Sequence, residues 1–292
     1  MAPLAVGIAG AGPWASLVHG PVLAAGPETE VAGVWSRTEA SAAKVAAAHG
    51  VPVCRSFDEL LECCDAVALV VPPVVQPVLA VAAARAGKAV LLEKPLGADV
   101  VEAARVADAV GEAGVGSLVV LTYRFASIVR DFLAAARDFP VTGARGCFLS
   151  GAFLGGPFAA PPWRAEAGAL LDVGPHILDL IDAAAGPVVA IEGRGDPHGF
   201  MAFVLEHENG AVSDVSLSCR VGDERSRTEV ELFGPEGALT VDARAAARAE
   251  SFATLRAEFA AVARTGGPHE CDVQRGLHVQ KLVEMAQAAL GR

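Results

Sequence analysis

Two domains of different class are predicted: a doubly wound parallel α/β sheet over residues 1–122, then an α+β domain with a largely antiparallel open sheet over 123–292. Three observations predict this. Short apolar runs alternate with helix-length segments as far as Tyr123, the pattern of parallel strands with crossover helices. The first apolar run, Val6-Gly7-Ile8-Ala9, enters a turn spelled Gly10-Ala11-Gly12-Pro13-Trp14-Ala15. Beyond the segment 155–162 the strand-like runs follow one another through short turns, which joins neighbours antiparallel.

In the first domain, strands are expected at 4–9, 30–36, 51–54, 65–71, 88–93 and 116–122, with helices at 13–25, 39–49, 57–63, 76–86 and 99–113. The apolar stretch 66–92 is broken by Pro72, Pro73, Gln76, Pro77, Arg85 and Lys88. It therefore reads as strand, loop, helix and strand rather than a membrane span. In the second domain, helix 126–137 and strand 141–150 precede a Gly/Pro-rich loop and a helix over 170–185. Strands follow at 188–194, 199–206, 211–219, 228–233 and 238–241, and Glu208-Asn209-Gly210 marks a hairpin. Helices near 251–264 and 272–290 close the chain.

Composition narrows the classes of function. The chain has 292 residues, is 53% hydrophobic and carries a net charge of −11, which disfavours nucleic acid or an anionic membrane as partner. Met1-Ala2-Pro3 lacks the basic start of a secretory leader, so a cytoplasmic protein is expected. The six cysteines, at 54, 63, 64, 147, 219 and 271, show neither CxxC nor His/Cys metal spacing. Reduced thiols and no metal are expected.

The glycine turn carries the first functional signal. Gly10 allows a tight turn, Gly12 lets backbone approach a pyrophosphate, and Ala15 lets the next helix pack close to the strand. With Pro13 and Trp14 these residues are expected to hold a dinucleotide at a helix N-terminus. In parallel sheets, ligands lie beyond the C-terminal strand ends. Ser36-Arg37, Pro72 and Glu93-Lys94-Pro95 all fall there. An NAD site usually has an acidic residue after the second strand; Ser36 and Arg37 instead offer a hydroxyl and a cationic fork suited to a 2′-phosphate. NADP is therefore expected, with NAD as the alternative if Arg37 only stacks on adenine.

Lys94, Asp172 and His176 carry the second signal. Lys94 is one of four lysines, at the end of a strand. Asp172, His176 and Asp179 fall at i, i+4 and i+7, one stripe of a helix. Pro175 fits a first turn, so this helix is expected to start near Leu171. An ammonium, a carboxylate and an imidazole are groups that a secondary alcohol needs when it loses a proton as its carbon loses a hydride. The competing readings are a strand cap for Lys94, a helix N-cap for Asp172 and a core histidine for His176. Asp179 reads as structural, and Trp163 is a candidate for the substrate pocket. The sole tyrosine, Tyr123, has no lysine four residues on, which argues against Tyr-Lys chemistry, and the remaining histidines form no zinc pattern.

Taken in order, these motifs resemble the glucose-fructose oxidoreductase / inositol dehydrogenase / MocA (Gfo/Idh/MocA) family over nearly the whole chain. The resemblance rests on Gly10-x-Gly12-x-x-Ala15, Phe57-Asp58-Glu59-Leu60-Leu61 with Asp65-Ala66-Val67, and Ala86 through Pro95. It continues through Arg124-Phe125, Trp163-Arg164, Gly168 to Asp172, Gly174, His176, Asp179 and Phe233-Gly234-x-x-Gly237. It implies a Rossmann-like first domain and an enzyme moving hydride between nicotinamide and a secondary alcohol or ketone of a sugar, cyclitol or related molecule. It also implies that Lys94, Asp172 and His176 are catalytic, that Arg124 and Trp163 join them around the substrate, and that the chain forms a homodimer or homotetramer through its second-domain sheet. The alternatives are a dinucleotide-binding sensor or a redox-assisted glycoside-cleaving enzyme that retains its cofactor. Where the family commonly has a histidine near the nicotinamide, this chain has Gln76, placed here among the cofactor contacts with Glu93 and Lys94.

Overall fold

The computed structural model describes residues 2–155, 162–222, 226–246 and 248–291, with backbone only over 162–167. The chain divides into two compact units, 1–120 with 252–278, and 121–251 with 279–292.

The first unit is a five-stranded parallel sheet in the order β2-β1-β3-β4-β5. Its strands are β1 (Leu4–Ala9), β2 (Thr29–Trp35), β3 (Ala66–Leu69), β4 (Ala89–Leu92) and β5 (Ser117–Val119). β3 and β4 are buried at every position, as strands covered on both faces must be. The strand expected at 51–54 reduces to one bridge, Val53 to Val34. The helices are α1 (Gly20–Ala24), α2 (Glu39–His49), α3 (Phe57–Glu62), α4 (Gln76–Arg85) and α5 (Val100–Ala113). Ser56 and Asp99 cap α3 and α5 by accepting from the amides of Glu59 and Glu102. The expected helix 13–25 is not uniform: Ala15–His19 forms a π-helical turn before α1.

Residues 252–278, expected in the second domain, pack in the first unit. The Arg256 guanidinium donates to Glu28 at 2.8 Å, and Arg264 reaches the carbonyls of Ala2 and Glu28. The Val119 amide donates to the Cys271 carbonyl at 2.7 Å, and the Val273 amide to Ser117 Oγ at 3.1 Å. These long-range bonds join groups at distant sequence positions, so no local pattern announces them.

The second unit is a six-stranded sheet in the order β11-β10-β6-β9-β8-β7. Its strands are β6 (Gly143–Leu149), β7 (Val188–Gly195), β8 (Met201–His207), β9 (Val212–Ser218), β10 (Arg227–Gly234) and β11 (Gly237–Asp242). Only the β6–β9 pair is parallel; the other four pairs are antiparallel. The hairpin at Glu208-Asn209-Gly210 is present, with Gly210 at φ 84°. So is the β10–β11 hairpin, where Gly234 pairs with Gly237. α6 (Ser127–Ala136) and α7 (Pro162–Ala185) supply core side chains to this unit. β6 comes close to α7 at Gly146, where a Cβ would stand 2.9 Å from Ile181 Cδ1. The last helices are α8 (Arg248–Thr265) and α9 (Val273–Ala289). Among the described residues no helix is long and apolar enough to cross a membrane.

Candidate active site

The strand order of the first unit reverses between β1 and β3, the switch point where such sheets bind ligands. Gly10 follows β1 with φ 117°, and a Cβ there would strike the Val70 carbonyl just beyond β3. Glycine is thus required both by backbone conformation and by the closeness of the two strand ends. Gly12 differs: among the described residues its Cβ direction meets no atom within 4 Å. The protein leaves that space open, which fits a pyrophosphate approaching the backbone, with Pro13 and Trp14 opening the helical segment behind it.

Beyond β2, Ser36 Oγ donates to the Thr38 carbonyl at 3.2 Å and Arg37 is exposed. Beyond β3, the Pro72 carbonyl accepts the amides of Val75 and Gln76 at the start of α4. Beyond β4, Glu93 and Lys94 are half-buried and the Lys94–Pro95 peptide is cis.

Gln76, expected as a cofactor contact, is fully buried and its amide bonds to the loop after β4. Nε2 donates to the carbonyls of Glu93, Pro95 and Leu96 at 2.7, 3.2 and 3.1 Å, and Oε1 accepts the Glu93 amide at 2.8 Å. It acts on the site by shaping the loop that carries Lys94.

The Glu93 side chain points back to the glycine turn. Trp14 Nε1 donates to Glu93 Oε1 at 2.6 Å, and His19 Nε2 lies 2.6 Å from the same oxygen. Burial alone would raise the Glu93 carboxyl. The His19 hydrogen bond, the Lys94 ammonium and the Trp14 donor outweigh burial and hold it below its ordinary value. An ionised carboxylate only accepts, so His19 Nε2 carries the proton in this pair. His19 carries no sequence signal for this role, because five residues from Trp14 it shares no α-helical face with it.

In the second unit, α7 breaks at Gly168, with φ 75° and ψ −179°. A Cβ there would lie 2.7 Å from the Pro197 carbonyl oxygen, which accepts the Ala169 amide at 2.9 Å. The helix therefore restarts at Ala169, not near Leu171, and Pro175 sits inside it rather than in its first turn. Asp172 is buried one turn in, which removes the N-cap reading. His176 is half-buried. It stacks on Phe148 of β6 at 6.2 Å between centroids and meets Tyr123 edge-on at 5.4 Å. Tyr123 and Phe148 were not expected at the site, since their proximity to His176 depends on how β6 and α7 pack.

Arg124, expected to touch substrate, is buried with Nη1 3.2 Å from Asp179 Oδ1. Its guanidinium and the Asp179 carboxylate form an internal ion pair within the second unit. The Trp163 side chain lies outside the described residues.

All six cysteines are free thiols. Burial, then the Cys63 thiol 3.8 Å away, pushes Cys54 up to about 12. Among the described residues no cluster of His, Cys, Asp or Glu is suited to hold a metal.

The strand-order reversal, the glycine turn and the lysine loop define a dinucleotide-binding oxidoreductase domain joined to an α+β unit. Residues 4–121 match the oxidoreductase family with the NAD-binding Rossmann fold, and 144–240 match the GFO/IDH/MocA C-terminal domain. A dTDP-3,4-didehydro-2,6-dideoxy-alpha-D-glucose 3-reductase of Streptomyces violaceoruber is 32% identical over 246 residues, 81% of this chain and 68% of that one. The fold is similar to GenD2 from gentamicin A biosynthesis in complex with NAD, with TM-score 0.88, 22% identity, and coverage of 100% of this chain and 96% of that one. It is also similar to UDP-N-acetylglucosamine 3-dehydrogenase GnnA from Acidithiobacillus ferrooxidans, with TM-score 0.86, 20% identity, and coverage of 99% and 98%. The chain belongs to the Gfo/Idh/MocA oxidoreductase family. It is an NAD(P)-dependent dehydrogenase or reductase acting on CH–OH groups.

Proposed function

We propose that this enzyme uses NADP to interconvert a secondary alcohol and a ketone on a sugar, cyclitol or related small molecule. The observation that carries the reading is the Lys94 loop, clamped by Gln76 beyond β4 in a sheet whose switch point leaves Gly12 open. Ser36 and exposed Arg37 after β2 support the 2′-phosphate. The Streptomyces relative, named as a 3-reductase of a dTDP-sugar, supports a keto-sugar as the substrate class.

A bound dinucleotide, its pyrophosphate held at the Gly10–Ala15 turn, would supply the hydride acceptor or donor through its nicotinamide. In the oxidative direction His176 takes the hydroxyl proton. Lys94, an ammonium donor, stabilises developing alkoxide. Asp172 orients the substrate. An imidazole with Phe148 and Tyr123 packed against it is held in one orientation, as a proton acceptor requires.

Self-association through the second-unit sheet belongs to the same reading. Phe233, Gly143 and Val212 form one row across β10, β6 and β9, and Phe233, Val212 and Val204 are exposed there. We place the assembly in the cytoplasm as a homodimer or homotetramer, which sedimentation would measure.

The test follows cofactor fluorescence with NADPH or NADP and a panel of polyols and ketoses. Net turnover supports the proposal. Product without net cofactor change would indicate redox-assisted cleavage, and binding alone would indicate a sensor. Lys94→Met should lower kcat by roughly 100- to 1000-fold, the usual loss for one transition-state donor, with cofactor affinity kept within a few-fold.

A further inference from the structure

Trp14 and His19 do more than line the start of a helix. Both direct a ring nitrogen to one oxygen, Glu93 Oε1, each at 2.6 Å. His19 is 2% exposed, and the two rings meet edge-on with centroids 6.3 Å apart. Residues five apart on an α-helix diverge by about 140°, because each residue turns about 100°. Here the turn is wider: the Gly20 amide donates to the Ala15 carbonyl, an i to i+5 bond, over the π-helical stretch Ala15–His19. That extra residue per turn brings positions 14 and 19 to the same side. Single π turns of this kind recur at functional sites.

The same glutamate is held from its backbone by Gln76. Glu93 is thus fixed at both ends, and Lys94 is the next residue. The donors on its carboxylate come from the segment that follows the open Gly12 cradle.

We infer that Trp14 and His19 are positioning residues for Lys94, locking its loop to the cofactor turn through their shared bond to Glu93. The lock makes the phosphate cradle and the placement of the ammonium one rigid arrangement. This rests on the role proposed above for Lys94, but its test does not depend on turnover.

The test compares acylation of Lys94 by acetic anhydride with that of Lys88, read by peptide mass spectrometry on the full chain without cofactor. Lys88 flanks the other end of β4 and donates to the Cys64 carbonyl, so general loosening raises both signals. Loss of the lock raises Lys94 alone. His19→Ala should raise the Lys94:Lys88 ratio roughly tenfold, as local opening of one loop allows, and Trp14→Phe should raise it severalfold. His19→Gln, whose amide can still donate to Glu93, should stay near wild type. NADPH affinity, titrated in parallel, should change only a few-fold in His19→Gln.

An unchanged ratio in both His19→Ala and Trp14→Phe overturns the inference, as does a rise in His19→Gln equal to that in His19→Ala. If His19→Ala does not fold, Trp14→Phe decides. If the ratio responds as expected while Lys94→Met keeps normal turnover, the lock stands and the catalytic role of Lys94 falls.

Discussion

Gln76 and Glu93 are joined twice across the ends of β3 and β4. The Gln76 Oε1 accepts the Glu93 amide at 2.8 Å, and Gln76 Nε2 donates to the Glu93 carbonyl at 2.7 Å. A buried carboxamide presents a donor and an acceptor side by side, which matches one residue's amide and carbonyl. Gln76→Leu keeps the volume and removes both, leaving buried backbone groups without a partner. The expected cost is about 2–3 kcal/mol, read as a lower urea midpoint with an unchanged slope.

Gly10 and Gly12 should separate under the same substitution. Gly10→Ala drives a Cβ into the Val70 carbonyl at a positive φ, so the melting temperature should fall. Gly12→Ala meets no atom of the described residues within 4 Å. Its melting temperature should hold while cofactor affinity drops by roughly tenfold or more, because the methyl occupies the space for the pyrophosphate. Equal affinity in Gly12→Ala and wild type would remove that space from the cofactor site.

Arg124→Met separates an ion-pair role for this side chain from a substrate role. Removing the guanidinium from a buried Asp179 should cost about 3 kcal/mol or more, measured by chemical denaturation. A variant of normal stability with weakened substrate binding would return Arg124 to the substrate role the sequence suggested.

Glu93 should set part of the acid sensitivity. Its folded carboxyl lies below the ordinary value of 4.5. A depressed carboxylate stabilises the folded state above the unfolded value, and that contribution is lost as pH falls through the folded value. Stability of the wild type should therefore fall on acidification below about pH 4.5 more steeply than that of Glu93→Gln. Parallel curves from denaturant titrations between pH 6 and 3 would contradict this.

Arg37→Ala addresses cofactor choice. A charge-assisted contact to the 2′-phosphate contributes roughly 1.5–3 kcal/mol, so NADP affinity should fall by about tenfold to a hundredfold while NAD affinity holds. Titration of both cofactors checks it. Tighter NAD than NADP in the wild type would overturn the preference.

The sequence by itself determined the first sheet, because buried parallel strands are unbroken apolar runs and Gly10-x-Gly12-x-x-Ala15 is a local conformational requirement. It also determined the two hairpins, through Asn209-Gly210 and Gly234-x-x-Gly237, and the stripe of Asp172 and His176, which depends only on helical period. Tertiary structure alone decided what the polar side chains hold. Gln76, Arg124 and His19 carry groups that could serve a ligand or a neighbour equally well. Their partners lie 17 to 74 positions away in sequence. The π turn, the restart of α7 at Ala169 and the placement of 252–278 in the first unit have the same origin. Each is a local compromise fixed by a distant contact, and the free energy of such a contact leaves no period or motif in the neighbouring residues.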